Sequence, residues 1–377
     1  MNEHDYAIVV GIHNYPGDQM THLKGTLNDA RDFKEWLTSS SGGGLPESNI
    51  QTIIKEFTPE DLEGLDVLDA VPTQEDIKRE FLKLNRKAKK AMTYEQDEDL
   101  TENGIAFYRD PDDNKRYYGR RLYLFFAGHG FNKRDNVNSV SLIAANGDYQ
   151  DLINNGVDAF NCLEFYENAG YFKEAILVTD CCRLFKSGSD GNQILQPDPA
   201  NPPRVVRTAY FLSCQNGQKA REREFDGKCN GIFSKMLLEA FNNANYDHAT
   251  NAVHYKHINE YILSNNEQFS GGQIPQIHGN SFGHEIKITF RNQDHTGAIR
   301  FKVPENWIGG TLSIIELANN QPVKTIELHD AQFEESVPIG IYRYQITKGA
   351  STKDGFFEIT SAMNICDFEA IFNNTIL

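Results

Sequence analysis

The chain has 377 residues, of which 39% are hydrophobic and 24% charged, with a formal net charge of −16 at pH 7. Such a length and balance predict two or three folded domains with full cores. The negative charge argues against nucleic acid as a partner, since phosphates demand basic surface, and no apolar stretch approaches the roughly 18 residues of a membrane helix.

In chain order, YAIVVGI reads as a buried strand, followed by the turn-rich HNYPGDQM. TLNDARDFKEWL spaces Leu27, Ala30, Phe33, Trp36 and Leu37 as one helical face, with Thr26 or Asn28 as its cap. After the Gly-rich SGGGLP comes a second strand, IQTIIKEF. TQEDIKREFLKLNRKAKKAM then opens with a Thr-x-x-Asp capping pattern and sets Ile77, Phe81, Leu84 and Ala88 on one face. Alternating strand and helix predicts right-handed βαβ units and an open α/β sheet. Residues 94–119 are acidic, carry turn signals at Asn103-Gly104 and Asp110-Pro111, and read as a surface loop or hairpin.

RLYLFFAGHG and AILVTDCCR are the informative segments, with a helical patch near NCLEFYENA between them. Both are continuous apolar runs, the mark of parallel strands buried on both faces. The first ends at His129 and the second, 53 residues later, at Cys182. Ligands and chemistry gather at the carboxyl ends of such strands. KSGSDGNQILQPDPANPPRVV then reads as a mobile surface loop. Next come TAYFLSC, a strand, and GIFSKMLLEAF, a helix with Ile232, Phe233, Met236, Leu237 and Phe241 inward. From residue 284, HEIKITF, AIRFKV, TLSIIEL, VKTIEL, GIYRYQIT and GFFEIT are short alternating strands, the pattern of an antiparallel sandwich. The division expected is therefore 1–283 and 284–377, the first part comprising 1–186, a linker 187–206, and 207–283.

A thiol is a weak nucleophile until an imidazole or helix dipole helps it ionise, and the same imidazole can protonate a leaving amine. His129 and Cys182 form such a pair if adjacent strands bring them together. Gly130, lacking a side chain, lets a substrate carbonyl approach, and its amide with that of Cys182 would form an oxyanion hole. Six cysteines, two of them adjacent, make no disulfide framework and no paired C-x-x-C metal site. With no export signal at MNEHDYAIVV, a reducing, cytoplasmic location is expected. Asp97, Asp99, Asp110, Asp112 and Asp113 lack the twelve-residue calcium-loop pattern and read as an exposed acidic loop.

FFAGHG and DCCR, with VVGIHNY and L-x-G-T-L-N-D-A in the same order, resemble the caspase-like peptidases over residues 5 to about 283, particularly the metacaspase and bacterial caspase-homologue branch. The resemblance implies a caspase-like sheet, His129 as general base and acid, Cys182 as nucleophile, and Cys181 as a packing neighbour. It places Asp180 at a position that binds a basic side chain before the scissile bond. LSCQNGQKAREREF puts Glu222 in the same pocket, with Glu224 as the second candidate. Arg183 matches the family pattern, whereas Leu184 replaces its usual Gly.

The function that the resemblance implies is that of a cysteine endopeptidase acting on protein substrates after Arg, less readily Lys, without a cofactor, although some metacaspases hold calcium elsewhere. Lys186, Arg204 and Arg207 are candidate processing sites at the linker. An activating protease, a sensor protein or another docking partner could switch the enzyme on, and related bacterial proteins serve in stress and antiphage signalling. A different class of function, a dormant caspase-fold scaffold working through its C-terminal β domain, would share the fold but not the thiol-dependent activity.

Overall fold

The computed structural model describes residues 2–17, 20–94, 96–132, 139–148, 155–186, 192–196, 204–247, 250–269, 272–280, 286–290, 296–316, 321–338, 340–359 and 366–367. The chain divides into two units, residues 1–245 with 254–289, and residues 246–253 with 290–377. The first unit extends past residue 283, where the sequence pattern set its end: Arg121 donates to the carbonyls of Lys287 and Ile288 at 2.6 and 3.2 Å, which ties those residues to it.

In the first unit the elements are β1 (Asp5–Gly11), α1 (Thr26–Thr38), β2 (Ile50–Ile54), α2 (Gln74–Thr93), β3 (Gly119–Ala127), β4 (Gly130–Asn132), β5 (Ser141–Ile143) and β6 (Gly156–Asp158). They continue with α3 (Ala159–Ala169), β7 (Phe172–Asp180), β8 (Leu184–Phe185), β9 (Arg207–Leu212), β10 (Glu222–Phe225), β11 (Lys228–Gly231), α4 (Ile232–Asn243), α5 (Tyr255–Phe269) and β12 (Gln276–Gly279). The central sheet has the order β12-β9-β7-β3-β1-β2, parallel except for β12. Every residue of β1 and β7 is buried, as the unbroken apolar runs predict. The charges that enter are paired: Arg120 with Asp5 at 2.7 Å, and Arg121 with Glu174 at 2.7 Å.

Helices cover both faces. On one, Phe33 of α1 stacks on Phe125 with ring centroids 4.5 Å apart, and Trp36 meets Phe241 of α4 at 4.3 Å. On the other, Ile77, Phe81, Leu84 and Ala88 of α2 join the core with Val10, Leu124 and Phe126. Thr73 and Asp76 form the expected capping box. The cap of α1 is different. Gly25 precedes it without a side-chain cap, the Thr26 hydroxyl donates to Ile12 O at 3.0 Å, and Asn28 donates to Cys229 O at 2.8 Å, so both candidates are used to tie α1 to its neighbours.

A second small sheet, β8-β4-β5-β6, is built from strands too short for periodicity to reveal. The acidic segment holds the helix Asp97–Glu102 and the hairpin Tyr108–Arg109 with Arg116–Tyr117. Within the linker, residues 187–191 and 197–203 lie outside the described residues. In the described piece Ile194 and Leu195 are buried in the core, so that part is packed rather than a mobile surface loop.

The second unit contains an antiparallel four-stranded sheet of Thr311–Glu316, Gln321–Glu327, Gly340–Lys348 and Ser351–Ile359. A second pairing joins Thr296–Lys302 to Gln332–Pro338. Phe301 and Val337 from that pair share one core with Leu312, Ile314, Tyr342, Tyr344, Ile346 and Phe357. The antiparallel C-terminal architecture is as the alternation predicts. Among the described residues no helix is long and apolar enough to cross a membrane.

Candidate active site

The cross-strand pair Ala127↔Asp180 closes the register between β3 and β7. Two residues on, the chains carry His129 and Cys182. Two residues further they pair again as Phe131↔Leu184, now in the small second sheet. Imidazole and thiol thus stand at matching positions in the gap between two registers. Both line one cavity of about 380 Å³, together with Gly130, Asp180 and Glu222.

Gly130 is needed for space. A Cβ there would meet Cys181 Sγ at 2.7 Å and the Cys182 carbonyl at 2.8 Å, so any side chain would prise the two segments apart. Ile143 N–H donates to His129 O at 2.9 Å. Gly130↔Leu142 is therefore a pair without ladder bonds of its own, and the Gly130 amide faces away from β5. The Cys182 amide has no hydrogen-bond acceptor among the described residues.

The imidazole is held from two sides. Its Nε2 lies 2.8 Å from Thr21 O. A carbonyl only accepts, so the proton resides on Nε2 and Nδ1 keeps a free lone pair. The His129 amide donates to the Tyr15 hydroxyl at 2.9 Å, which donates to Ile143 O at 3.1 Å, and the Tyr15 ring packs edge-on at 4.5 Å. Burial pushes the imidazole below its ordinary pKa, and the Thr21 carbonyl offsets this only in part. Cys182 Sγ donates to Ala220 O at 3.6 Å, and burial pushes its thiol above the ordinary value. Burial thus favours the neutral form of both the thiol and the imidazole. Cys181 is buried, and its amide donates to Ser213 Oγ at 3.2 Å, the packing position expected of it.

One end of the cavity is acidic. Asp180 Oδ2 accepts from the Ser234 amide at 2.9 Å and the Ser234 hydroxyl at 2.7 Å, supplying an N-terminal acceptor that α4 lacks in its own sequence. Glu222 accepts from the amides of Lys24 and Gly25 at 3.0 and 2.7 Å, pinning the β10–β11 hairpin to the start of α1. A third carboxylate, Asp29 of α1, lines the same cavity. It accepts from Asn230 Nδ2 at 2.9 Å and from the Gly231 amide at 2.9 Å. Burial and the neighbouring Asp180 charge push Asp29 well above the usual carboxylate range. Burial, with Glu222 nearby, pushes Asp180 up to about 6.

Sequence reasoning missed Asp29, Tyr15 and Thr21. An acid in the first turn of an amphipathic helix reads as an ordinary dipole partner. Glu224 is exposed and does not line the cavity. Arg183 is fully buried and donates to Cys214 O at 3.0 Å, an anchor beneath the site.

Of the candidate processing residues, Arg207 opens β9 and pairs with Glu174 at 3.5 Å. Arg204 donates to Gly170 O at 3.3 Å and lies over the Tyr117 ring at 5.2 Å. Lys186 follows β8, its amide bonded to Asn132 O at 3.3 Å. Cleavage after Arg204 or Arg207 would first require those contacts to open. In the acidic segment the Lys173 ammonium sits 2.9 Å from both Asp110 and Asp113, so a cation of the chain already occupies the place between them. The Asp97 side chain lies outside the described residues. Asp99 is exposed, and Asp112 bonds through its amide to Asp110 at 2.8 Å.

Residues 4–286 match the family model described as the caspase domain. A protein named as a probable protease, from a Desulfuromonadales bacterium, is 25% identical over 239 residues, spanning 62% of this chain and 25% of that protein. The chain thus spans about a quarter of that relative's length. Among solved structures, caspase-1 from Spodoptera frugiperda aligns with a TM-score of 0.38 at 11% identity, over 74% of this chain and 86% of that one. The structure of pro-sf-caspase-1 aligns with the same score at 12% identity, over 74% and 87%.

Proposed function

The chain belongs to the caspase-domain family of peptidases, and on that premise we propose that it is a cysteine endopeptidase cleaving proteins after arginine, less readily lysine. The observation that supports this most is the single cavity shared by Cys182, His129 and the carboxylates of Asp29, Asp180 and Glu222. Paired carboxylates suit a guanidinium, whose planar fork offers several N–H donors at once. Lysine offers a single point charge and is held less well.

In this reading the arriving peptide displaces the thiol from Ala220 O. His129 Nδ1 takes the thiol proton as Sγ attacks the scissile carbonyl carbon. Negative charge moves to the carbonyl oxygen, which the amides of Gly130 and Cys182 stabilise. The tetrahedral adduct collapses, the C–N bond breaks, and the imidazolium returns its proton to the leaving amine. Water, deprotonated by His129, then attacks the thioester and releases the carboxylic acid and the thiol. Thr21 O holds the Nε2 proton throughout and favours the imidazolium. Regulation by processing near the linker or by a docking partner fits this scheme, and such a switch would act on the pair whose neutral form burial favours.

The test is cleavage of fluorogenic peptides ending in Arg, Lys or Asp, comparing wild type with Cys182→Ala. Thiol-dependent cleavage after Arg is expected. Cleavage only after Asp would overturn the specificity, and activity retained without the thiol, or none in wild type, would overturn the peptidase reading in favour of a scaffold.

A further inference from the structure

We propose that the cavity holds a second, apolar subsite on the leaving-group side of the thiol, so that the enzyme selects substrates with a large aliphatic or aromatic residue immediately after the scissile bond. This rests on the Cys182–His129 chemistry proposed above.

The imidazole marks the leaving-group side, because it must reach the departing amine to protonate it. That ring is anchored to Thr21 O at 2.8 Å. Leu23 adjoins Lys24, whose amide bonds Glu222, so it belongs with the carboxylates, whereas Met20, next to the anchor, lines the cavity. So do Phe131 and Leu184, which pair across the second sheet two residues beyond His129 and Cys182. Met20 and Leu184 are half-buried, packed against the core on one side with surface still open on the other.

The carboxylate end is reached in the opposite direction along the same chain. Asp180 lies two residues before Cys182, Leu184 two residues after it. Along this segment the lining therefore passes from an acidic to an apolar side chain across the nucleophile. Leu184 is also the position where the chain departs from the glycine of the pattern it resembles, and the departure places an apolar side chain in that wall. An apolar wall in a cavity otherwise floored by acid gains by covering apolar surface of a substrate. One methylene in such a pocket changes kcat/KM by about 10- to 200-fold.

A residue after the bond leaves with the first product, so the preference belongs to acylation. Coumarin substrates, which have no such residue, cannot report it. The experiment uses internally quenched peptides identical except for Arg–Leu, Arg–Phe, Arg–Gly or Arg–Asp at the cleaved bond. Wild type should favour Leu or Phe over Gly by about tenfold or more in kcat/KM. Leu184→Gly should bring the Arg–Leu to Arg–Gly ratio near one, and Met20→Ser, which changes a different segment, should lower it as well. The readout is a ratio within each enzyme, so loss of stability alone does not move it. Equal cleavage of Arg–Leu and Arg–Gly by wild type overturns the subsite while leaving the peptidase reading standing. Absence of thiol-dependent cleavage of every peptide overturns that reading and the subsite with it.

Discussion

Asp29 and Asp180 approach one another across the Cα of Gly231. A Cβ built on that glycine would lie 2.9 Å from Asp29 Oδ2 and 2.2 Å from Asp180 Oδ2. The backbone there has φ −60°, which any residue adopts, so the glycine serves clearance rather than conformation. Burial pushes both carboxyls upward; the Asp180 charge adds to this at Asp29, and the Glu222 charge adds to it at Asp180.

The first prediction concerns pH. Asp180 titrates near 6, so below that value the pocket loses charge that a guanidinium needs. KM for Arg peptides should rise as pH falls through about 6. Burial holds the imidazole below its ordinary value and so favours the neutral base as pH falls, and kcat should be less sensitive to acid than KM. Steady-state profiles between pH 5 and 8 check this, and a flat KM would contradict it.

Stability should run the other way. A carboxyl whose folded pKa is raised binds its proton more tightly in the native state than in the unfolded chain, whose Asp titrates near 3.9. The contribution of Asp180 to native stability therefore declines as pH rises from about 4 to about 6, and that of Asp29, raised as well, falls in the same direction. Asp180→Asn removes this penalty while keeping an acceptor for Ser234. Its melting temperature should match or exceed wild type at pH 8, while kcat/KM for Arg peptides falls about 30-fold or more, as for loss of one partner in a buried charge pair. Thermal melts at pH 4.5 and 8 alongside kinetics separate the two effects.

Gly231→Ala should close the pocket. The added methyl would collide with both carboxylates, and overpacking of this kind costs about 1–3 kcal/mol. Arg cleavage should fall by more than tenfold. Denaturant unfolding beside peptide kinetics would show whether the substitution is instead tolerated.

Tyr15→Phe removes the hydroxyl that accepts from the His129 amide and donates to Ile143 O. The ring packing survives, so the stability cost should be about 1 kcal/mol. If the hydroxyl positions the imidazole, kcat should drop about tenfold with KM unchanged. A parallel fall in kcat and rise in KM would instead indicate general loosening.

The neutral form that burial favours also predicts slow alkylation. Iodoacetamide labelling of Cys182, followed residue by residue by mass spectrometry, should be slow at pH 7 and rise only above pH 9. Fast labelling at pH 6 would reveal a thiolate–imidazolium pair already formed.

The central sheet was legible because its strands are buried on both faces, and a continuous apolar run then has one reading. His129 and Cys182 were legible because each stands just beyond such a run. The second sheet was not, since Leu184–Phe185 and Gly130–Asn132 are too short to carry a period. Gln332–Pro338 went unread for another reason: AQFEESVP looks like a polar connection, and only its pairing with Thr296–Lys302 makes it a strand. Thr21 acts through a carbonyl, which every residue possesses, and its contact with His129 spans 108 positions. No local pattern announces a backbone atom used at such a distance.

The bond from Cys182 sulfur to the Ala220 carbonyl has one further consequence. Peroxide attacks thiolates far faster than thiols, and sulfinic or sulfonic products are irreversible. On the proposed function, a sulfur that keeps its hydrogen until a peptide arrives is a poor target for peroxide in the meantime.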